Sequence, residues 1–145
     1  MPNKVVEDLT STMKIDPDQY SPITSQDRLS SLGYALAGWL YMLRRQKNTR
    51  IQAVASIAVM ALALWLQVDF VALAILILTI TVVWMAEFVN AAVEAAINIA
   101  APNLHPMAKV GKDVASAAVL LSVVASVLIG LLLLAPPLLV KLGFV

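Results

Sequence analysis

Glu87 and Glu94, with Asn90 between them and Asn98 one turn beyond, sit in an otherwise apolar run of Ala, Val, Ile and Phe. At 100° per residue these four side chains fall within an arc of about 80° on a helix. A carboxylate in such surroundings is costly unless it has a partner, a metal or a chemical task. Downstream, His105, Lys112 and Asp113 add an imidazole, an ammonium and another carboxylate. This inventory suits phosphoryl transfer, which relies on positioning and charge neutralisation. The carboxylates can bind a cation or take a proton, the amide can orient, and the lysine can meet an anion. There is no Walker-type glycine-rich loop, Ser/His/Asp arrangement or redox motif. On these residues alone, a small transporter with a cation- or proton-binding carboxylate, or an accessory membrane protein, stays open beside an enzyme.

The elements that must position these groups read as membrane helices. The 145-residue chain is 61% hydrophobic and only 13% charged, too apolar for an ordinary soluble domain. No charged residue lies between Asp69 and Glu87, or from Val114 to Val140. A third run, Ile51 to Val68, has only Gln52 and Gln67 as strongly polar residues. Three spans follow from these lengths. Seven of the ten Lys and Arg precede the first span, and Lys109 and Lys112 lie between the second and third. The positive-inside rule then places the N-terminus and the second loop in the cytoplasm. Without cysteine there is no disulfide framework, thiolate nucleophile or Cys-ligated metal. The first 28 residues are polar and do not read as a cleaved secretory signal. Nothing points to nucleic acid.

The expected fold class is an all-α membrane protein with an N-terminal amphipathic surface helix and three transmembrane helices. Residues 1–24 read as a polar tail and 25–145 as the membrane domain, entered through a capping box at Thr24 and Asp27. The surface helix is expected over 25–50, with Leu29, Leu32, Gly33, Leu36, Leu40 and Leu43 as its apolar stripe. Spans are expected at about 51–68, 70–100 and 113–135. The second has no Pro or Gly before Ala100, so it can reach ~45 Å against a hydrocarbon core of ~30 Å. That length puts Glu87 and Asn90 near the inner edge of the lipid, and Glu94 and Asn98 beyond it. The stretch from Ala101 to Pro106 is expected to break the helix, with Lys109 to Asp113 leading into the third span. Ala118, Ser122, Ser126 and Gly130 form a small-residue ridge there, and Pro136-Pro137 is expected to end the helix.

The run from Glu87 through Asn90 to Glu94-Ala, followed by His105, Ala108-Lys109, Lys112-Asp113 and Ser116-Ala-Ala-Val, strongly resembles the prokaryotic diacylglycerol kinase and undecaprenol kinase family. The likeness covers about Leu29 to Leu134. It implies a homotrimer in the bacterial inner membrane that transfers the γ-phosphate of MgATP to the hydroxyl of a membrane lipid. The acceptor would be diacylglycerol or undecaprenol. The longer polar N-terminus and the loop from Leu104 to Lys109 lean slightly to the undecaprenol branch. By resemblance, Glu87 is the general base, next to the lipid, and Asn90 orients the reacting groups. Glu94 and Gln46 hold Mg²⁺. Tyr34, Asn103, Leu104, His105, Lys112 and Asp113 contact ATP, and Ser116 lies by the lipid. The plainer readings give Ser116 a packing role, His105 a capping role and Lys109 a solvated charge.

Two positions depart from the family pattern. Gln46 stands where a glutamate usually shares the metal, and Asn98 where an aspartate is usual. Each keeps an oxygen and loses a negative charge. An active kinase with weaker metal affinity is the expectation, against an inactive, degenerate member.

Overall fold

The computed structural model describes residues 28–101, 103 and 105–144. The polar tail, the Thr24–Asp27 capping box and Leu104 lie outside these residues. Among the described residues four helices follow in order: α1 Arg28–Arg45, α2 Lys47–Leu66, α3 Phe70–Ala100 and α4 Pro106–Lys141. No strand occurs among the described residues.

Helix α1 carries the expected stripe, and its Leu29, Leu32, Leu36 and Leu40 are exposed. It ends in Arg44 and Arg45, where positive charge complements the helix dipole. Sequence reading runs this helix on to residue 50. The chain instead breaks at Gln46, which is extended at φ −97° and ψ 118°. Gln46 is thereby the residue that precedes the first turn of α2, and its side chain makes no cap bond there.

Helices α2, α3 and α4 are each long and apolar enough to cross a membrane. Their large side chains face outward, with Leu121 at 72% and Leu132 at 75% exposure. Water would not tolerate so broad an apolar surface, and lipid requires it. Thr79 and Thr81 return their hydroxyls to the Ile75 and Ile77 carbonyls at 2.6 and 2.8 Å, which keeps them paired within the helix.

The turn between α2 and α3 is three residues long and fully capped. Gln67 adopts a left-handed conformation, φ 55° and ψ 43°. Its N–H meets the Leu64 carbonyl at 3.1 Å and that of Val68 meets Ala63 at 3.2 Å, the Schellman pattern. Asp69 then opens α3 by accepting from the Val71 and Ala72 amides at 2.8 and 2.9 Å. Next to this turn sits the buried core: Ala63 and Leu66 of α2, Leu76 of α3 and Leu134 of α4.

At the opposite end α3 and α4 form a hairpin. A Cβ on Gly111 would lie 2.9 Å from Ile97 Cδ1, so glycine leaves room there for the Ile97 side chain of α3. Helix α4 begins earlier than expected, at Pro106, whose fixed φ suits the first helical position. Lys109 to Asp113 therefore belong to its first turns rather than to a loop.

The expected stop at Pro136-Pro137 is also corrected, because α4 continues through both prolines to Lys141. Two amide donors are lost toward the Leu132 and Leu133 carbonyls. Packing holds the path: Leu134 before the prolines is buried in the core, and Leu138 after them packs against it. The helix closes at Gly143, φ 77°, with a second Schellman pair of bonds. Lys141 Nζ donates to the Trp65 carbonyl and lies 4.4 Å from the centre of the indole ring, tying the ends of α2 and α4.

Candidate active site

Above the small core the three spanning helices separate. A groove of about 620 Å³ runs between them, from Leu134 and Leu138 up to Glu87 and Asn48. Most of its lining is apolar; its polar residues are Asn48 and Glu87 at one end, Gln52 and Ser56 along α2, Thr79 on α3 and Ser126 on α4.

Glu87 is 5% exposed, the only carboxylate buried among the described residues. It sits on the face of α3 that meets α2 and α4, so a charged group is held inside an apolar bundle. The Asn48 side chain of α2 lies beside its carboxylate, near enough to interact with it. Asn48, Glu87, Asn90 and Ser116 also share the rim of a smaller cavity of about 240 Å³, bounded by all three helices. Asn90 Oδ1 is buried there with no partner among the described residues. Leaving such an acceptor unpaired costs about 1–3 kcal/mol, and a group that donates to it would recover that. One turn deeper, Trp84 Nε1 donates to Ser56 Oγ at 3.1 Å, and Ser56 donates to the Gln52 carbonyl at 2.8 Å. This bridge fixes the register of α2 against α3 just below the carboxylate.

Glu94 lies two turns along α3, half-buried and near enough to Glu87 for the two carboxylates to repel. Further on, Lys112 Nζ donates to Asn98 Oδ1 at 2.6 Å, beside the Gly111–Ile97 contact. A neutral amide holds the ammonium in place and leaves its charge for an anion. Asp113, next in the chain, is exposed.

His105 caps α4, its Nδ1 accepting from the Met107 amide at 3.2 Å. That is the capping role, and it leaves Nε2 uncommitted by the cap. Asn103 is exposed in the loop before it. Gln46 is half-buried at the break between α1 and α2, and Tyr34 on α1 is 59% exposed. Among the described residues no three His, Asp or Glu side chains converge on one point.

Three groups on α2 escape sequence reading. Asn48, Gln52 and Ser56 recur every four residues, a polar edge facing Glu87 and Trp84. The spacing is visible in the sequence, but Asn48 precedes the apolar run and a serine is unremarkable within a span. That leaves Gln52 looking isolated.

A model of the prokaryotic diacylglycerol kinase family matches residues 33–134, which takes in the buried Glu87 site, all of α3 and most of α4. The chain belongs to that family. Among its relatives is a diacylglycerol kinase of Synechocystis sp., 39% identical over 112 residues. That match covers 77% of this chain and 64% of the relative, so the chain spans a little under two thirds of that protein's length. A diacylglycerol kinase of Escherichia coli strain K12 is 28% identical over 100 residues, 69% of this chain and 82% of the relative. An undecaprenol kinase of Bacillus subtilis strain 168 is 32% identical over 95 residues, 66% and 77% respectively. The expected family and the three-helix membrane fold are both borne out. Relatives of both names fall within reach of this one chain.

Proposed function

We propose that the protein phosphorylates the hydroxyl of a membrane lipid with ATP at the cytoplasmic rim of the bilayer. The observation that carries this reading is a buried carboxylate, Glu87, at the polar mouth of an apolar groove, with an anchored lysine at the end of the same helix pair. A greasy alcohol fits the groove and an anionic nucleotide fits the far side of the mouth.

In the reaction, Glu87 accepts the proton of the lipid hydroxyl, whose oxygen forms a bond to the γ-phosphorus as the bond to the β-phosphate oxygen breaks. ADP leaves, and the phosphorylated lipid stays in the membrane. Asn48 and Asn90 hold the carboxylate and the hydroxyl in line, and Lys112 meets phosphate charge. Asp113, Asn103 and His105 complete the nucleotide site in this reading, and Ser116 sits by the lipid. The donor set suits Mg²⁺: a Glu94 carboxylate and the Gln46 amide oxygen are hard ligands. Mg²⁺ takes one or two such groups together with substrate phosphates. When bound it neutralises phosphate charge. The positive-inside distribution supports a cytoplasmic site in the bacterial inner membrane, and the family resemblance supports a homotrimer.

The test is transfer of labelled phosphate from ATP, with Mg²⁺, to diacylglycerol or undecaprenol by purified protein in mixed micelles. Transfer is expected, and Glu87→Gln should lower it at least ~100-fold. A protein that labels neither lipid at high Mg²⁺ would be an inactive relative or a transporter.

A further inference from the structure

The Trp84–Ser56 bridge is built so that neither partner can be exchanged for an apolar one. Ser56 has one hydroxyl hydrogen, which goes to the Gln52 carbonyl at 2.8 Å, so its oxygen is left to accept. The indole N–H of Trp84 can only donate, and it meets that oxygen at 3.1 Å. The indole is held a second time by the ring of Phe88, one turn further along α3, with centroids 6.1 Å apart and planes tilted by 38°. Glu87 lies between these two aromatic residues in the chain. On the other side of the bridge, Asn48 stands two turns before Ser56, about 12 Å along the polar edge of α2.

Elsewhere α2 is held mainly by packing. Its buried Ala63 and Leu66 join the core at the far end, and between that core and Asn48 runs the groove. Thr49, beside Asn48, is fully buried, yet its hydroxyl has no hydrogen-bond partner among the described residues. In lipid, packing and interhelical hydrogen bonds set one helix against another, and the bond is the directional part. We infer that Trp84 is a positioning residue for phosphoryl transfer. Through Ser56 it sets the rotation and height of α2, and thereby brings Asn48 to the Glu87 carboxylate. This rests on the kinase reading above. The indole touches no reactant in this role; its effect passes through α2, where a displacement of about 1 Å at the reacting groups can cost ~100-fold in rate.

The experiment measures kcat and the KM for ATP of the full-length protein and its variants in mixed micelles, with 1,2-dioleoylglycerol and with undecaprenol, per mole of folded protein. Trp84→Phe, which keeps a ring and loses the donor, is expected to lower kcat about tenfold and to leave the KM for ATP within about twofold. Ser56→Ala should match it, and Ser56→Thr, which keeps the oxygen, should retain the original rate. Asn48→Ala should also lower kcat, and adding Trp84→Phe to it should lower kcat no further, because both act on one contact. Their effects on stability, by contrast, should add. A bridge that serves the fold alone would shift stability and leave kcat per folded molecule unchanged, which overturns the inference. So does a loss of kcat that multiplies when Trp84→Phe and Asn48→Ala are combined. Should Trp84→Phe fail to fold, Ser56→Ala, alone and paired with Asn48→Ala, gives the same comparison. In all these outcomes the unaltered protein phosphorylates lipid; if it labels neither lipid, the kinase reading falls and the inference with it.

Discussion

Lys112 on α4 and Asn98 on α3 are joined by a 2.6 Å hydrogen bond, one residue along each helix from the Gly111–Ile97 contact. The bond fixes an ammonium whose long stem would otherwise sample many rotamers, and ordering such a side chain costs about 1–2 kcal/mol. Asn98→Ala should therefore raise the KM for ATP by roughly threefold to tenfold with little change in kcat. Asn98→Asp, which keeps the acceptor oxygen, should restore it. Steady-state kinetics at varied ATP separate the two.

Gln46 offers an amide oxygen where a carboxylate would bind a hard cation more tightly. Gln46→Glu should reduce the Mg²⁺ concentration for half-maximal rate by roughly threefold to tenfold. An Mg²⁺ titration that does not shift would remove Gln46 from the metal site.

The Trp84–Ser56 bridge holds α2 to α3 directly below Glu87. Hydrogen bonds between membrane helices contribute about 0.6–2 kcal/mol, so Trp84→Phe should destabilise the fold by that order. Combining it with Ser56→Ala should cost less than the sum of the two single changes, as partners in one bond do. Reversible unfolding in mixed micelles measures all three variants.

Gln67 takes a left-handed conformation without being glycine. A side chain there costs about 1 kcal/mol, so Gln67→Gly should stabilise the protein by up to that amount. Asp69→Ala, which removes the cap of α3, should destabilise it by about 1 kcal/mol. The same unfolding assay reads both.

Much of this molecule is legible in its residues because lipid imposes simple rules. Charge-free runs mark out α2 to α4, and α3 begins at Phe70, where the second span is expected to start. The stripe of Glu87, Asn90, Glu94 and Asn98 singled out one face of α3, because lipid would penalise four polar groups that had no partner or task. What local rules could not supply was tertiary. Proline normally ends a helix, yet Leu134 and Leu138 pack on a shared core and carry α4 across Pro136-Pro137. Asn48 and Gln52 looked incidental until the fold placed one against Glu87 and the other in the groove. The Lys112–Asn98 bond and the packing of Ile97 against Gly111 likewise need the hairpin to be folded before they can be seen.

The groove between α2, α3 and α4 is open to its surroundings and nearly all apolar, and at the end remote from Glu87 the small core and the Lys141–Trp65 contact close the bundle. A hydrophobic reactant can thus slide in from the surrounding leaflet without ever dissolving in water. Saturation is then governed by how crowded that leaflet is with the reactant, its mole fraction among neighbouring lipids, and not by any bulk concentration. Diluting the micelle or vesicle with inert lipid at constant total reactant should slow turnover, as expected of an enzyme that meets its substrate in two dimensions.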